Sequence, residues 1–193
     1  MYRKIQLTAI LALSFFLLVV SHSSAQEQTE MTISLRPGGG AHIAILADNV
    51  PNQENLKAVI GEPRVKGIYK DKLSELFGPV ENLTLALKGS ELRIEFDVLS
   101  IATERSGQWT VERKEFGSKM SPLATLRIKL PEGAERTSTE PEPDEVGADY
   151  MIWRNVAYLP TVAYGGGKLP YLYLVLLLLA IVVISFLSKK FFR

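Results

Sequence analysis

Residues 171–187 (YLYLVLLLLAIVVISFL) run for seventeen positions without a charge, and no other feature constrains this chain so tightly. At about 1.5 Å per residue a helix of that length covers roughly 25 Å, and Leu169 and Pro170 bring it close to the roughly 30 Å hydrocarbon core of a bilayer. The reading is a transmembrane helix over 169–188 with a basic stub at 189–193. The polar chain that precedes it must then lie on one side of a membrane.

Charge gives the side. Lys189, Lys190 and Arg193 follow the apolar run, whereas Lys168 is the one nearby cation before it, so the C-terminus is expected in the cytoplasm. Tyr164, Tyr171 and Tyr173 suit the outer interface, where a ring enters the acyl region and its hydroxyl stays wet. Tyr171, Tyr173, Lys189, Lys190 and Arg193 are therefore read as membrane anchors.

The other end of the chain agrees. Arg3 and Lys4 precede an apolar run from Ile5 to Val20, and Ser23 and Ala25 supply the small residues of a signal-peptidase site. Residues 1–25 read as a signal peptide, and an uncleaved signal anchor would leave the following domain on the same side. The expected localisation is the cell membrane, single-pass, with the N-terminal domain outside.

Of the 22 basic residues 17 lie within 26–168, together with all 21 acidic ones, so the exported part carries −4. A nucleic-acid module needs a clustered positive excess, and none is present. The absence of cysteine removes disulfides, thiolate metal sites, a cysteine nucleophile and a bacterial lipobox together. The exported part is long enough for one domain stabilised by its own core.

Within it, Met31, Ile33 and Leu35 alternate with polar residues, residues 37–40 (PGGG) interrupt, and 41–47 resume as an apolar run. That pattern predicts a hairpin. A phosphate cradle at the glycines would need a following helix and a GK[ST] signature, neither of which the sequence offers. Leu56, Val59 and Ile60 share one helical face; Gly61 and Pro63 break it; Val65, Ile68, Tyr69, Leu73, Leu76 and Phe77 resume it up to Gly78 and Pro79. Period two returns with Leu83, Leu85, Leu87 and then Leu92, Ile94, Phe96, Val98 across a Gly89-Ser90 turn. Further strands are expected at 108–116, 123–130 and 150–154, with Trp153 packed on the sheet or helix. The predicted fold is α+β: an antiparallel sheet of about six or seven strands with one broken helix across it, occupying 26–154.

Residues 132–149 hold seven acids and one base without the alternating ligand register of a calcium loop, so they read as a solvated loop. Residues 155–168, with Pro160 and Gly165, Gly166 and Gly167, read as a flexible juxtamembrane tether.

Chemistry is sparse. With His22 in the signal peptide, His42 stands alone and supports neither a multi-histidine metal site nor a His-based triad. Carboxylate pairs such as Glu95 with Asp97, or Glu112 with Glu115, are the material for a glycan hydrolase, although nothing in their spacing selects them. No cofactor is expected. Asn82-Leu83-Thr84 is a glycosylation sequon, which makes Asn82 a candidate acceptor.

The order of hairpin, helix and strands, then LRIKLPEGA at 126–134 and a tryptophan-bearing strand before a final membrane helix, resembles the exported LppM-type domain of bacterial envelope proteins. The resemblance implies an α/β module at the outer face of a membrane, with a lipid-binding cavity between helix and sheet. Its wall here would be Leu56, Val59, Ile60, Ile68, Leu73 and Leu76; the alternative is that these six are core. The chain departs from the family's lipoproteins in lacking the lipobox cysteine. The expectation is a non-catalytic binding or scaffold protein of the envelope, with the membrane and a protein or envelope component as partners. Lipid binding and glycan hydrolysis are the alternatives.

Overall fold

A computed structural model describes residues 29–50, 53–117, 120 and 122–165. The segments read as signal peptide, membrane span and basic stub, with the five residues read as anchors, lie outside the described residues. Among the described residues no helix is long and apolar enough to cross a membrane.

The elements in chain order are β1 (Thr29–Leu35), β2 (Ala41–Ala47), α1 (Gln53–Val59), α2 (Pro63–Phe77), β3 (Val80–Lys88), β4 (Glu91–Val98), β5 (Ala102–Arg105), β6 (Gln108–Val111), β7 (Lys114–Glu115), β8 (Leu123–Lys129), β9 (Glu135–Glu140), β10 (Glu145–Val146), β11 (Tyr150–Val156), β12 (Tyr158–Leu159) and β13 (Thr161–Gly165). The main sheet has seven strands in the order β10-β11-β8-β1-β2-β4-β3; a four-stranded sheet runs β5-β6-β13-β9, and β12 pairs with β7. Most pairs are antiparallel, as expected, but β1 and β8 run parallel at the centre of the main sheet.

Alternation in the sequence becomes two-faced packing. Registers place Trp153, Leu126, Met31, Ile45, Ile94 and Leu85 in one row across six strands, with Met151, Ile128, Ile33, Ile43 and Phe96 in the next. Most of these side chains are buried and belong to a single core. That core also takes in Leu73, Leu76 and Phe77 of α2 and Ala102, Val111, Val162 and Tyr164 of the second sheet. The Phe77 ring lies 5.6 Å from that of Phe96 and 6.4 Å from that of Phe116.

The broken helix forms as its breakers dictate. After α1 the Glu62 N–H bonds the Val59 carbonyl, and Pro63, whose fixed φ suits a first helical turn, opens α2. Gly78 at φ +90° closes it, its N–H bonding the Ser74 carbonyl at 3.0 Å, a conformation that costs a side chain energy but not glycine.

Four expectations are corrected. Residues 155–165 are not tether: they continue β11 to Val156 and form β12 and β13, with Val156, Leu159, Val162 and Tyr164 buried. Their alternating apolar residues outweigh the Pro160 and Gly165 that suggested a linker. Tyr164, read as an interfacial ring, is 2% exposed, and its hydroxyl has no hydrogen-bond partner among the described residues. The acidic segment is not a free loop either, because it supplies β9 and β10 and its side chains are tied back. Arg136 bonds Glu142, Arg154 and the Tyr150 hydroxyl bond Glu145, and the Arg154 N–H bonds Asp144 at 2.6 Å. Residues 108–116, expected as one strand, divide between β6 and β7 in different sheets.

Candidate functional site: a carboxylate network on the open sheet face

The face of the main sheet turned away from the core carries the polar half of each alternation. One row across it reads Tyr150, Lys129, Ser34, His42, Asp97 and Glu81. Its centre is Asp97. Oδ1 accepts from Arg36 Nη2 at 2.7 Å and from His42 Nδ1 at 2.9 Å, and Oδ2 accepts from Asn82 Nδ2 at 2.8 Å. An ionised carboxylate has no proton to give, so His42 carries its hydrogen on Nδ1 here and leaves Nε2 for solvent or a partner.

Local backbone makes this convergence. Arg36, just after β1, and His42, on β2, flank the Pro37-to-Gly40 turn, and His42 pairs directly with Asp97. Asn82 sits at φ +49°, where the register between β3 and β4 shifts. Asparagine tolerates the left-handed region better than most residues, and such an irregularity re-aims a side chain. The Asn82 bond, then the His42 bond, with the Arg36 charge assisting, hold the Asp97 carboxyl below its usual range against a smaller opposing effect of burial. Asp97 is 17% exposed, whereas the Arg36 and His42 side chains are 51% and 40% exposed, so the carboxylate is covered by partners that themselves face water.

Chemically this is a braced carboxylate. A carboxylate that accepts three donors has little basicity left for proton abstraction. Ser34, His42 and Asp97 are the residue types of a hydrolytic triad in one row, a juxtaposition the sequence concealed. Yet among the described residues no hydrogen bond joins Ser34 to His42, and the row lies on an open face. Of the carboxylate pairs considered from sequence, Glu95 is held by Arg93 at 2.6 Å and Glu115 by Arg113 at 2.7 Å. No group of three or more His, Asp or Glu among the described residues is placed to hold a metal.

The six apolar helix residues separate. Leu73 and Leu76 are buried in the core, Leu56 and Ile60 pack against it half-buried, and Val59 and Ile68 are half-exposed. No residue of α1 is fully buried. Tyr69 also packs on the core, where burial pushes its hydroxyl up to about 12. Asn82 is exposed, but its amide nitrogen, the atom a glycan would take, is engaged by Asp97.

No protein-family model matches the chain, and no curated protein does. Seven chains among solved structures match it. One is the NMR structure of the folded domain of Mycobacterium tuberculosis LppM, which is 14% identical, with 78% of this chain and 98% of that one covered at a TM-score of 0.40.

Proposed function

We propose that this chain is a single-pass membrane protein whose exported domain binds a protein or envelope component without catalysing a reaction. The observation that carries the reading is the seventeen-residue uncharged run beginning at Tyr171, six positions after the last strand ends at Gly165. A signal-like N-terminus and basic residues after the run support the same orientation. On the domain itself, polar side chains paired to one another, as around Asp97, favour recognition over turnover. Crosslinking in intact cells followed by affinity capture is expected to recover defined neighbours; recovery of bulk membrane protein alone would count against the proposal.

A lipid-binding reading stands second, favoured by one observation. α1 lies at the edge of the core with Leu56, Val59 and Ile60 only partly covered, as a helix bordering an apolar ligand would. Native mass spectrometry of the purified chain tests it, since a bound lipid adds a discrete mass.

A further inference from the structure

The outer strands of the two larger sheets are not alike. β10 has two residues, β5 has four and ends in exposed Glu104 and Arg105, and β9 carries Glu135, Arg136 and Glu140 along an exposed strand. Shortness and charge are devices by which a sheet edge avoids pairing with another chain. β3 has neither. It is nine residues long and holds an uncharged run from Leu83 to Leu87 (LTLAL), and no strand among the described residues pairs with its outer side. Its register shift lies between Glu81 and Thr84, so the ladder to β4 is regular from Thr84 to Lys88.

Register shows what this edge presents. Leu85 lies opposite Ile94 and Leu87 opposite Leu92 on the core-facing side. The two β4 residues are buried, whereas Leu85 and Leu87 stay half-exposed although they pack against the same core. The apolar rows are thus cut short at β3 rather than completed. On the other face Thr84, Ala86 and Lys88 are exposed. Glu81 and Lys88, also exposed and at opposite ends of the strand, belong to no ion pair among the described residues.

The run reads almost the same in both directions about Leu85. An antiparallel second copy centred there sets Leu83 opposite Leu87, Thr84 opposite Ala86 and Leu85 opposite itself, so core-facing residues meet core-facing ones. A slip of one residue would set leucines against the polar face, which disfavours the neighbouring registers. In the favoured register Lys88 falls opposite Asn82 of the second copy, beside its Glu81, and no like charges stand opposed. A two-fold contact needs a patch that complements itself, and this edge does so in face and in charge.

We propose that β3 is a homodimerisation edge, through which two copies pair antiparallel over residues 83–88 about a two-fold axis at Leu85. The two seven-stranded sheets then join into one. Both β3 edges are used up, and the short or charged edges that remain stop growth at two copies. The proposal goes beyond the reading above and does not rest on the membrane anchor, since every residue it uses lies in the folded domain.

Because the chain has no cysteine, single cysteines report position cleanly. Directly opposed residues have Cβ atoms about 4.5–5.5 Å apart, near enough for a disulfide after a small shift, while diagonal neighbours are roughly 7–8 Å apart. Full-length Thr84→Cys, Leu85→Cys, Ala86→Cys and, on the β9 edge, Ser138→Cys are purified in mild detergent and oxidised briefly with copper phenanthroline. The expected yield of disulfide dimer is several-fold higher at 85 than at 84, 86 or 138. A mixture of Thr84→Cys and Ala86→Cys, both at exposed positions, is expected to give several-fold more heterodimer than either homodimer, and this holds even where Leu85→Cys loosens the core. Ala86→Lys added to Leu85→Cys is expected to lower the dimer several-fold. Equal yields at all positions, monomer throughout, a maximum at 138 or indifference to Ala86→Lys would overturn the proposal. So would the same oxidation of expressing cells if the β3 cysteines gave adducts of a mass other than twice the chain's, which would assign the edge to a different protein.

Discussion

Gly39→Ala tests how the two sheets are joined. Gly39 holds φ +80°, and a Cβ there would press on the Trp109 ring and stand 2.6 Å from the carbonyl oxygen of Ala102. The oxygen cannot retreat easily, since the neighbouring N–H groups of Ile101 and Ala102 both bond Gly39. The left-handed conformation costs an alanine about 1–2 kcal/mol. Overpacking against a fixed backbone atom adds about 1–3 kcal/mol. Gly38→Ala is the matched control: its φ of +87° carries the same conformational cost, but nothing lies within 4 Å of the new Cβ. The difference between the variants, about 1–3 kcal/mol, is then the steric part alone. Urea unfolding of the detergent-solubilised chain can be followed by tryptophan fluorescence, because the two tryptophans, Trp109 and Trp153, both lie in the folded domain. Equal losses of stability in Gly38→Ala and Gly39→Ala would refute the docking of the second sheet on the turn.

Asp97→Asn should destabilise at neutral pH and progressively less in acid. A carboxyl held below its usual value contributes stability above about 3.9, lost as pH falls through the folded-state value; a stability difference from wild type that stays constant between neutrality and acid would show that the network does not act through Asp97 ionisation. Leu76→Ala, in the buried core, is expected to cost about 2–5 kcal/mol in urea unfolding, and half-exposed Ile68→Ala distinctly less. Leu73→Trp should cost about 1–3 kcal/mol if the core beneath α2 is filled, whereas an unchanged midpoint would reveal a hollow there. Trp153→Phe removes the bond to the Pro141 carbonyl and should lose about 0.5–1.5 kcal/mol, checked by the same denaturation.

Local periodicity made the main sheet readable from the chain. Met31 to Leu35 and Leu92 to Val98 alternate cleanly because one face of each strand meets core and the other water, and Gly61 with Pro63 breaks the helix where composition says it must. The second sheet was hidden for two different reasons. β9 (ERTSTE) is an edge strand open to solvent, so it carries no apolar alternation to detect. β13 does carry it, in Val162 and Tyr164, as does the neighbouring β12 in Leu159, but proline and glycine nearby gave the segment the composition of a linker. The parallel pairing of β1 with β8 joins segments about 95 residues apart and leaves no local trace. The Asp97 network was equally invisible: Arg36, His42, Asn82 and Asp97 are scattered, and only the register of β2, β3 and β4 brings them to one carboxylate. His42 looked solitary because its partner arrives across strands rather than along the chain.

The membrane-anchored topology is tested most directly by adding protease to intact cells that express the chain with an epitope tag after Arg193. The folded domain is expected to be digested while the C-terminal tag stays protected until the membrane is permeabilised. Digestion of the tag with survival of the domain, or protection of both before permeabilisation and loss of both afterwards, would contradict it.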